Sequence, residues 1–121
     1  MAEPVPPEPT RLERLVIKSG GRLTSLNVEE IDWIEAAGVY VYLHTGGQAI
    51  LFRSTVGQLH ARLDPRQFLR VHRSAVVNTD RIRELQPRSH GDCIVVLKHG
   101  TELPLSRLYR PSLESWLRQS L

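Results

Sequence analysis

Two arginines and an imidazole fall within four residues in the stretch Phe68-Leu69-Arg70-Val71-His72-Arg73-Ser74-Ala75-Val76-Val77-Asn78. A guanidinium is a planar fork of donors that matches phosphate oxygens and the edge of guanine. The apolar run Ala75-Val76-Val77 then ties this cationic edge to something folded. A cluster held this way suits contact with a polyanion better than a mobile basic tail does. Two other places carry basic or hydrogen-bonding groups at the edge of an apolar segment: Gly38-Val39-Tyr40 and Ser106-Arg107-Leu108-Tyr109-Arg110. Phosphate contacts fix register and base-edge contacts supply specificity, so three such places can cooperate on one nucleic acid.

Other chemistry finds less support. Five histidines (44, 60, 72, 90, 99) are spread along the chain, and none sits at a familiar zinc spacing from another histidine or a cysteine. No metal or cofactor is expected. There is no GxSxG, no HExxH and no glycine-rich phosphate loop. Ser74 lies two residues after His72, but a triad needs a third group. Glu29-Glu30 reads as an exposed turn. Cys93 is the single cysteine, which excludes an internal disulfide, and it reads as a buried inert thiol. The chain is expected not to be an enzyme.

The balance of charge points the same way. Net charge is only +3, but arginine supplies 14 of the 16 basic residues. Residues 23–35 carry Glu29, Glu30, Asp32 and Glu35 and no base; residues 66–88 carry six arginines against Asp80 and Glu84. An ordinary solvated surface would also accommodate such a composition. With 121 residues the chain suffices for one domain with a modest core. No segment approaches the ~20 apolar residues that span a bilayer. The start, Met1-Ala2-Glu3-Pro4-Val5-Pro6-Pro7, lacks the pattern of a signal peptide, so a cytoplasmic location is expected. Four of the eight prolines fall in the first nine residues. Residues 1–14 therefore read as a disordered proline-rich lead-in or linker, and 15–121 as the domain.

The elements that must position these groups are mostly strands. Residues 15–18, stopped by Gly20-Gly21, and 23–26 read as strands, with Asn27 capping a single turn at 28–30. Residues 31–35 read as a strand. Residues 39–44 and 48–53 flank Gly46-Gly47, a strong hairpin signal. With that two-residue loop, Thr45 faces Gln48, Leu43 faces Ile50 and Val41 faces Phe52. Thr55-Val56-Gly57-Gln58 has capping-box spacing, and Val56, Leu59 and Leu63 recur at helical spacing. A short helix is expected there, ending before Pro65. Strands follow near 69–71, 75–77 and 82–85, and 93–97 with 102–105 enclose His99-Gly100. Pro111 suits the first turn of a closing helix, with Leu113, Trp116, Leu117 and Leu121 on one face. The expected class is mainly β, a multi-stranded elongated domain with short helices near 55–63 and 111–120.

With these motifs in order, residues 15–121 resemble the LytTR DNA-binding domain, an output domain of bacterial response regulators. The matching pieces are Ile31-Asp32-Trp33-Ile34-Glu35-Ala36 with Gly38-Val39-Tyr40-Val41, then Phe68-Leu69-Arg70-Val71-His72-Arg73-Ser74 with Val77-Asn78, then Leu103-Pro104-Leu105-Ser106-Arg107. The middle motif is the most specific. The resemblance implies transcriptional regulation through loops that enter successive grooves of duplex DNA, with two copies on a direct-repeat site. Carried over, Val39 and Tyr40 form the first contact region, Arg73 the second and Arg107 the third. The family often has a basic residue where this chain has Leu108, and Arg110 is the candidate to stand in for it. Arg70 is expected on phosphate, with a salt-bridged strand residue as the alternative. His72 reads more simply as a buried, hydrogen-bonded histidine than as a DNA contact, and Ser74 and Asn78 as turn caps. Tyr40 is balanced between core and groove; Trp33 and Trp116 read as core. The resemblance also implies a receiver domain elsewhere in a longer protein, or a separate regulatory protein. The competing class is a protein-interaction β-module whose basic edge meets an acidic partner. RNA binding is weaker, since no aromatic pair is evident to stack bases.

Overall fold

A computed structural model describes residues 11–120; residues 1–10 of the 1–14 lead-in and Leu121 lie outside the described residues, while Leu12 packs on the core and Arg14 opens the first strand. Three antiparallel sheets form the fold. The first is a hairpin of β1 (Arg14–Ser19) and β2 (Arg22–Asn27). Gly20 and Gly21 both have positive φ, as a two-residue type I′ turn demands. The central sheet holds β3 (Trp33–Ala37), β4 (Tyr40–Thr45), β5 (Gln48–Arg53), β6 (Phe68–His72) and β7 (Ala75–Asn78) in the order β5-β4-β3-β7-β6. A short helix, α1 (Val56–His60), links β5 to β6. The third sheet, ordered β10-β9-β8, contains β8 (Ile82–Pro87), β9 (Cys93–Leu97) and β10 (Glu102–Leu105), and α2 (Arg110–Ser120) follows it. No described helix is long and apolar enough to cross a membrane.

Two cores lie on the two faces of the central sheet. Successive side chains on a strand point to opposite faces. Ile34, Phe68 and Val76 accordingly join Leu15, Ile17, Val56 and Leu59 in one core, under the β1–β2 hairpin and α1. Their neighbours Leu69, Val71, Ala75 and Val77 join Val95, Leu97, Leu103 and Leu113 in the other, under the third sheet and α2. This is why 68–69 and 75–77 read as unbroken apolar runs: every residue of β7 is buried. Each such Leu, Val or Phe contributes roughly 1.5–3 kcal/mol by leaving water.

The β4–β5 hairpin has the expected register, with Thr45 opposite Gln48, Leu43 opposite Ile50 and Val41 opposite Phe52. Thr55 caps α1 by accepting from the Gln58 amide at 3.1 Å. Other expectations need correction. Asn27 precedes the turn Val28–Glu30, but its side chain makes no capping bond. The strand expected at 31–35 is shifted to Trp33–Ala37, because Asp32 is taken up by a polar knot. Its carboxylate accepts from Arg81 Nε at 2.8 Å and from the Gly46 amide at 3.1 Å. Fully buried Asn78 completes the knot: Nδ2 donates to Ile31 O at 2.9 Å and Oδ1 accepts from the Asp80 amide at 3.0 Å. The capping role expected of Asn78 is thus present, with a second role added. The helix α1 stops at His60, and Leu63 stays buried in the turn beyond it. Cys93, Trp33 and Trp116 are half-buried rather than enclosed, though each packs on the second core.

Candidate nucleic-acid interface

Strand order brings the three sequence regions to one end of the sheets. The turn Gly38-Val39 joins β3 to β4, and Gly38 at φ 68° takes the backbone shape that the first turn position needs. The Ala36 amide donates to Ser74 O at 2.9 Å, so the β6–β7 turn sits beside it. The Ser106 amide donates to Val71 O at 2.7 Å, which sets the exit of β10 beside the same turn. The three regions therefore lie side by side along one rim.

The β6–β7 turn is built from its own side chains. The register shifts between Arg70 and His72, a bulge that re-aims the side chains of the turn. Arg70 Nε donates to His72 O at 3.0 Å, and its Nη2 donates to Arg73 O. The same guanidinium lies over the Tyr109 ring, 5.3 Å from the centroid, so it also joins the second region to the third. His72 is half-buried, and its Nδ1 accepts from the Ser74 amide at 3.2 Å, which leaves the ring proton on Nε2. Ser74 shapes the turn through its backbone. Arg73 stands exposed at the tip, and among the described residues its guanidinium has no bonded partner.

The third region is clasped differently. Ser106 Oγ accepts weakly from the Leu108 amide at 3.4 Å, opening a helical turn, Arg107–Tyr109, that runs into α2. Arg107 Nη2 donates to His90 O at 2.6 Å and lies 3.8 Å from Asp92. Arg110 Nη1 donates to Gly91 O at 3.1 Å, and its Nε is 3.8 Å from Glu114. Both arginines thus hold the 89–91 loop, where His90 is the one described non-glycine residue with positive φ, 63°. Sequence reading assigned that loop no part. Leu108 is 76% exposed between the two arginines.

In the first region Val39 is exposed, and half-buried Tyr40 lies 5.8 Å below the Arg53 guanidinium. Behind the rim, His60 Nε2–H donates to Phe68 O at 3.0 Å. Burial holds the His60 pKa below its ordinary value, the Arg70 charge adds to that, and the Phe68 carbonyl opposes it. Charge is unevenly neutralised. Arg66, Arg81, Arg83, Arg88, Arg107 and Arg110 each have a carboxylate oxygen within 4.0 Å. Lys18, Arg22, Arg53, Arg70 and Arg73 have none among the described residues, and all five lie toward the rim. Arg14, Arg62, Lys98 and Arg118, elsewhere on the surface, likewise have none among the described residues.

The model of the LytTr DNA-binding domain matches residues 21–118, a span that contains all three regions. The chain belongs to the LytTr DNA-binding domain family. Among its relatives, the sensory transduction protein LytT of Bacillus subtilis is 28% identical over 104 residues, which are 86% of this LytTr chain and 43% of that protein. The CO-responsive transcriptional regulator RcoM of Rhodospirillum rubrum is 32% identical over 107 residues, 88% of this chain and 44% of that protein. The chain thus spans less than half the length of these relatives. In structure it is similar to a LytTr DNA-binding domain of a putative methyl-accepting/DNA response regulator from Bacillus cereus, with TM-score 0.77 and 19% identity over 88% of this chain and 97% of that one. That likeness carries the mainly β fold of the LytTr domain.

Proposed function

We propose that this rim reads a specific sequence in duplex DNA and so acts in transcriptional regulation. The observation that carries the reading is the convergence of the three regions on one edge, with Arg73, unpaired among the described residues, at its centre. In this reading Arg73 contacts a base edge from the β6–β7 turn, and Arg107 enters a neighbouring groove. Val39 and Tyr40 supply the contacts of the first turn. Arg70 and His72 act mainly by holding the turn in shape, since their bonds run to its backbone. Arg70 Nη1, free among the described residues, is left for phosphate. Arg110 braces the third region beside Leu108. Counterions released from the phosphates then make affinity fall steeply with salt. Two copies bind a direct-repeat site. The domain works in the cytoplasm, without catalysis of its own, under a receiver domain of a longer protein or a separate regulatory protein. Family membership favours DNA over an acidic protein partner. Selection of bound sequences from random duplex DNA tests the reading. A direct-repeat motif is the expected outcome. Recovery of no enriched motif would overturn sequence-specific binding, and a single unrepeated motif would overturn the two-copy arrangement.

A further inference from the structure

The β1–β2 hairpin ends on the same rim as the three regions. Its far end is fixed by Leu26, which lies in a hollow with Thr45, Gln48 and Ile50 at the tip of the β4–β5 hairpin. Its near end is fixed by Lys18 and Ser19, which line a groove of about 570 Å³ with Tyr40, Phe52 and Arg53. The β1–β2 hairpin therefore runs alongside β5, and its Gly20-Gly21 tip points the same way as the Gly38-Val39 turn. Lys18 pairs with Leu23 and Ser19 with Arg22, so Lys18 and Arg22 stand on opposite faces of the ribbon. Both are exposed, and among the described residues neither has a carboxylate within 4.0 Å. Arg53, across the groove, is also exposed and lies over the Tyr40 ring. Three unneutralised cations thus flank the first region on the side away from Arg73. Lys18 and β1 lie before residue 21, outside the span that matches the family model.

We propose that the tip of the β1–β2 hairpin, with Arg53, is a fourth contact element that grips backbone phosphates of the duplex beyond the first region. This inference rests on the DNA reading above and extends it. Strands lie ≈ 4.7–4.9 Å apart, so the five-stranded sheet alone spreads the rim over roughly 19 Å. The hairpin tip stands over the β5 end of this rim, beside Tyr40 and Arg53. A duplex lying along the rim carries a phosphate every 3.4 Å on each strand, so the hairpin tip meets phosphates that the three regions do not reach. These contacts carry no base information. They add affinity and salt dependence, and they leave the preferred sequence unchanged.

The test measures affinity against salt for the selected duplex, using the whole chain and the double variant Lys18→Gln/Arg22→Gln. Each phosphate contact contributes about 0.9 to the slope of log affinity on log salt, so the slope should shrink by about 1.8 with the preferred sequence kept. Arg53→Gln, a separate variant on the other side of the groove, should shrink it by about 0.9. The control Arg14→Gln/Arg62→Gln removes the same charge at the opposite end of the hairpin and should leave the slope alone. Trimming the duplex at the hairpin end should bring the first variant and the parent together. A parent slope in both hairpin-side variants, or an equal loss in the control, overturns the inference and leaves the DNA reading standing. A parent chain that binds no duplex overturns both.

Discussion

The turn at 72–74 and the turn at 106–110 both bring arginines to one rim, and they hold them in different ways. In the first, the work is divided. Arg70 is fastened to the backbone of the turn while Arg73, three residues on, has no partner among the described residues. In the second, Arg107 and Arg110 are themselves the fasteners, each bonded to a carbonyl of the 89–91 loop. A side chain already bonded inside the protein exchanges one partner for another when it meets DNA, so its net gain is smaller. The number of arginines on a surface is therefore a poor guide to which of them reads a sequence. What distinguishes them is whether each has been spent internally.

The sharpest way to break this comparison is Arg73→Ala. Specific affinity for the selected duplex should fall by roughly 1–3 kcal/mol in a filter-binding assay. Thermal stability should stay within about 0.5 kcal/mol of the parent, because the side chain supports nothing else. Undiminished affinity would remove Arg73 from the reader's role. Arg107→Ala should cost less, about 1 kcal/mol, and should also speed amide exchange in the 89–91 loop that it holds. A loss as large as that of Arg73→Ala, with no change in the loop, would erase the distinction between the two turns.

The smallest effect concerns pH. His60 fastens Phe68 on β6, the strand that delivers Arg70 to the first turn. Its folded-state pKa lies below the ordinary 6.5, chiefly through burial. Well above 6.5 it is neutral in both states and contributes no pH dependence. As pH falls through 6.5 the unfolded chain takes up the proton first, so stability declines until the folded pKa is passed. Urea midpoints of the parent should fall more between pH 7.5 and pH 5.5 than those of His60→Gln. Parallel curves would show that burial of His60 has no such consequence.

Much of the fold was legible because it depends on near neighbours. Gly20-Gly21 and Gly46-Gly47 dictate tight turns, and the pattern of period two then sets the partners across each hairpin. Strands near 69–71 and 75–77 were legible from their apolar runs, whereas their burial on both faces emerges only in the fold. The candidate regions were legible as places, since arginines at the ends of apolar strands stand out. Their internal state was not. Arg107 reaches a carbonyl 17 residues away, on a loop whose unusual bend at His90 has no marker in residue type. Asp32 and Arg81 are 49 residues apart, so the acidic stretch at 23–35 gave no hint that one of its members is a buried anchor. The stacking of Trp33 on His44, 4.0 Å apart and nearly parallel, likewise needs the register of β3 on β4 before it can be seen.

The face of the central sheet that β6 and β7 bury under the third sheet also decides where this protein can be divided. The backbone at Thr79–Arg81 falls after two thirds of the residues and looks like a joint between one sheet and the next. A break there would leave Leu69, Val71, Ala75 and Val77 facing water on one piece, and Val95, Leu97 and Leu103 on the other. Neither piece could be swapped, shuffled or expressed alone without carrying an open apolar wall. The apparent joint is a place where two sheets share one interior.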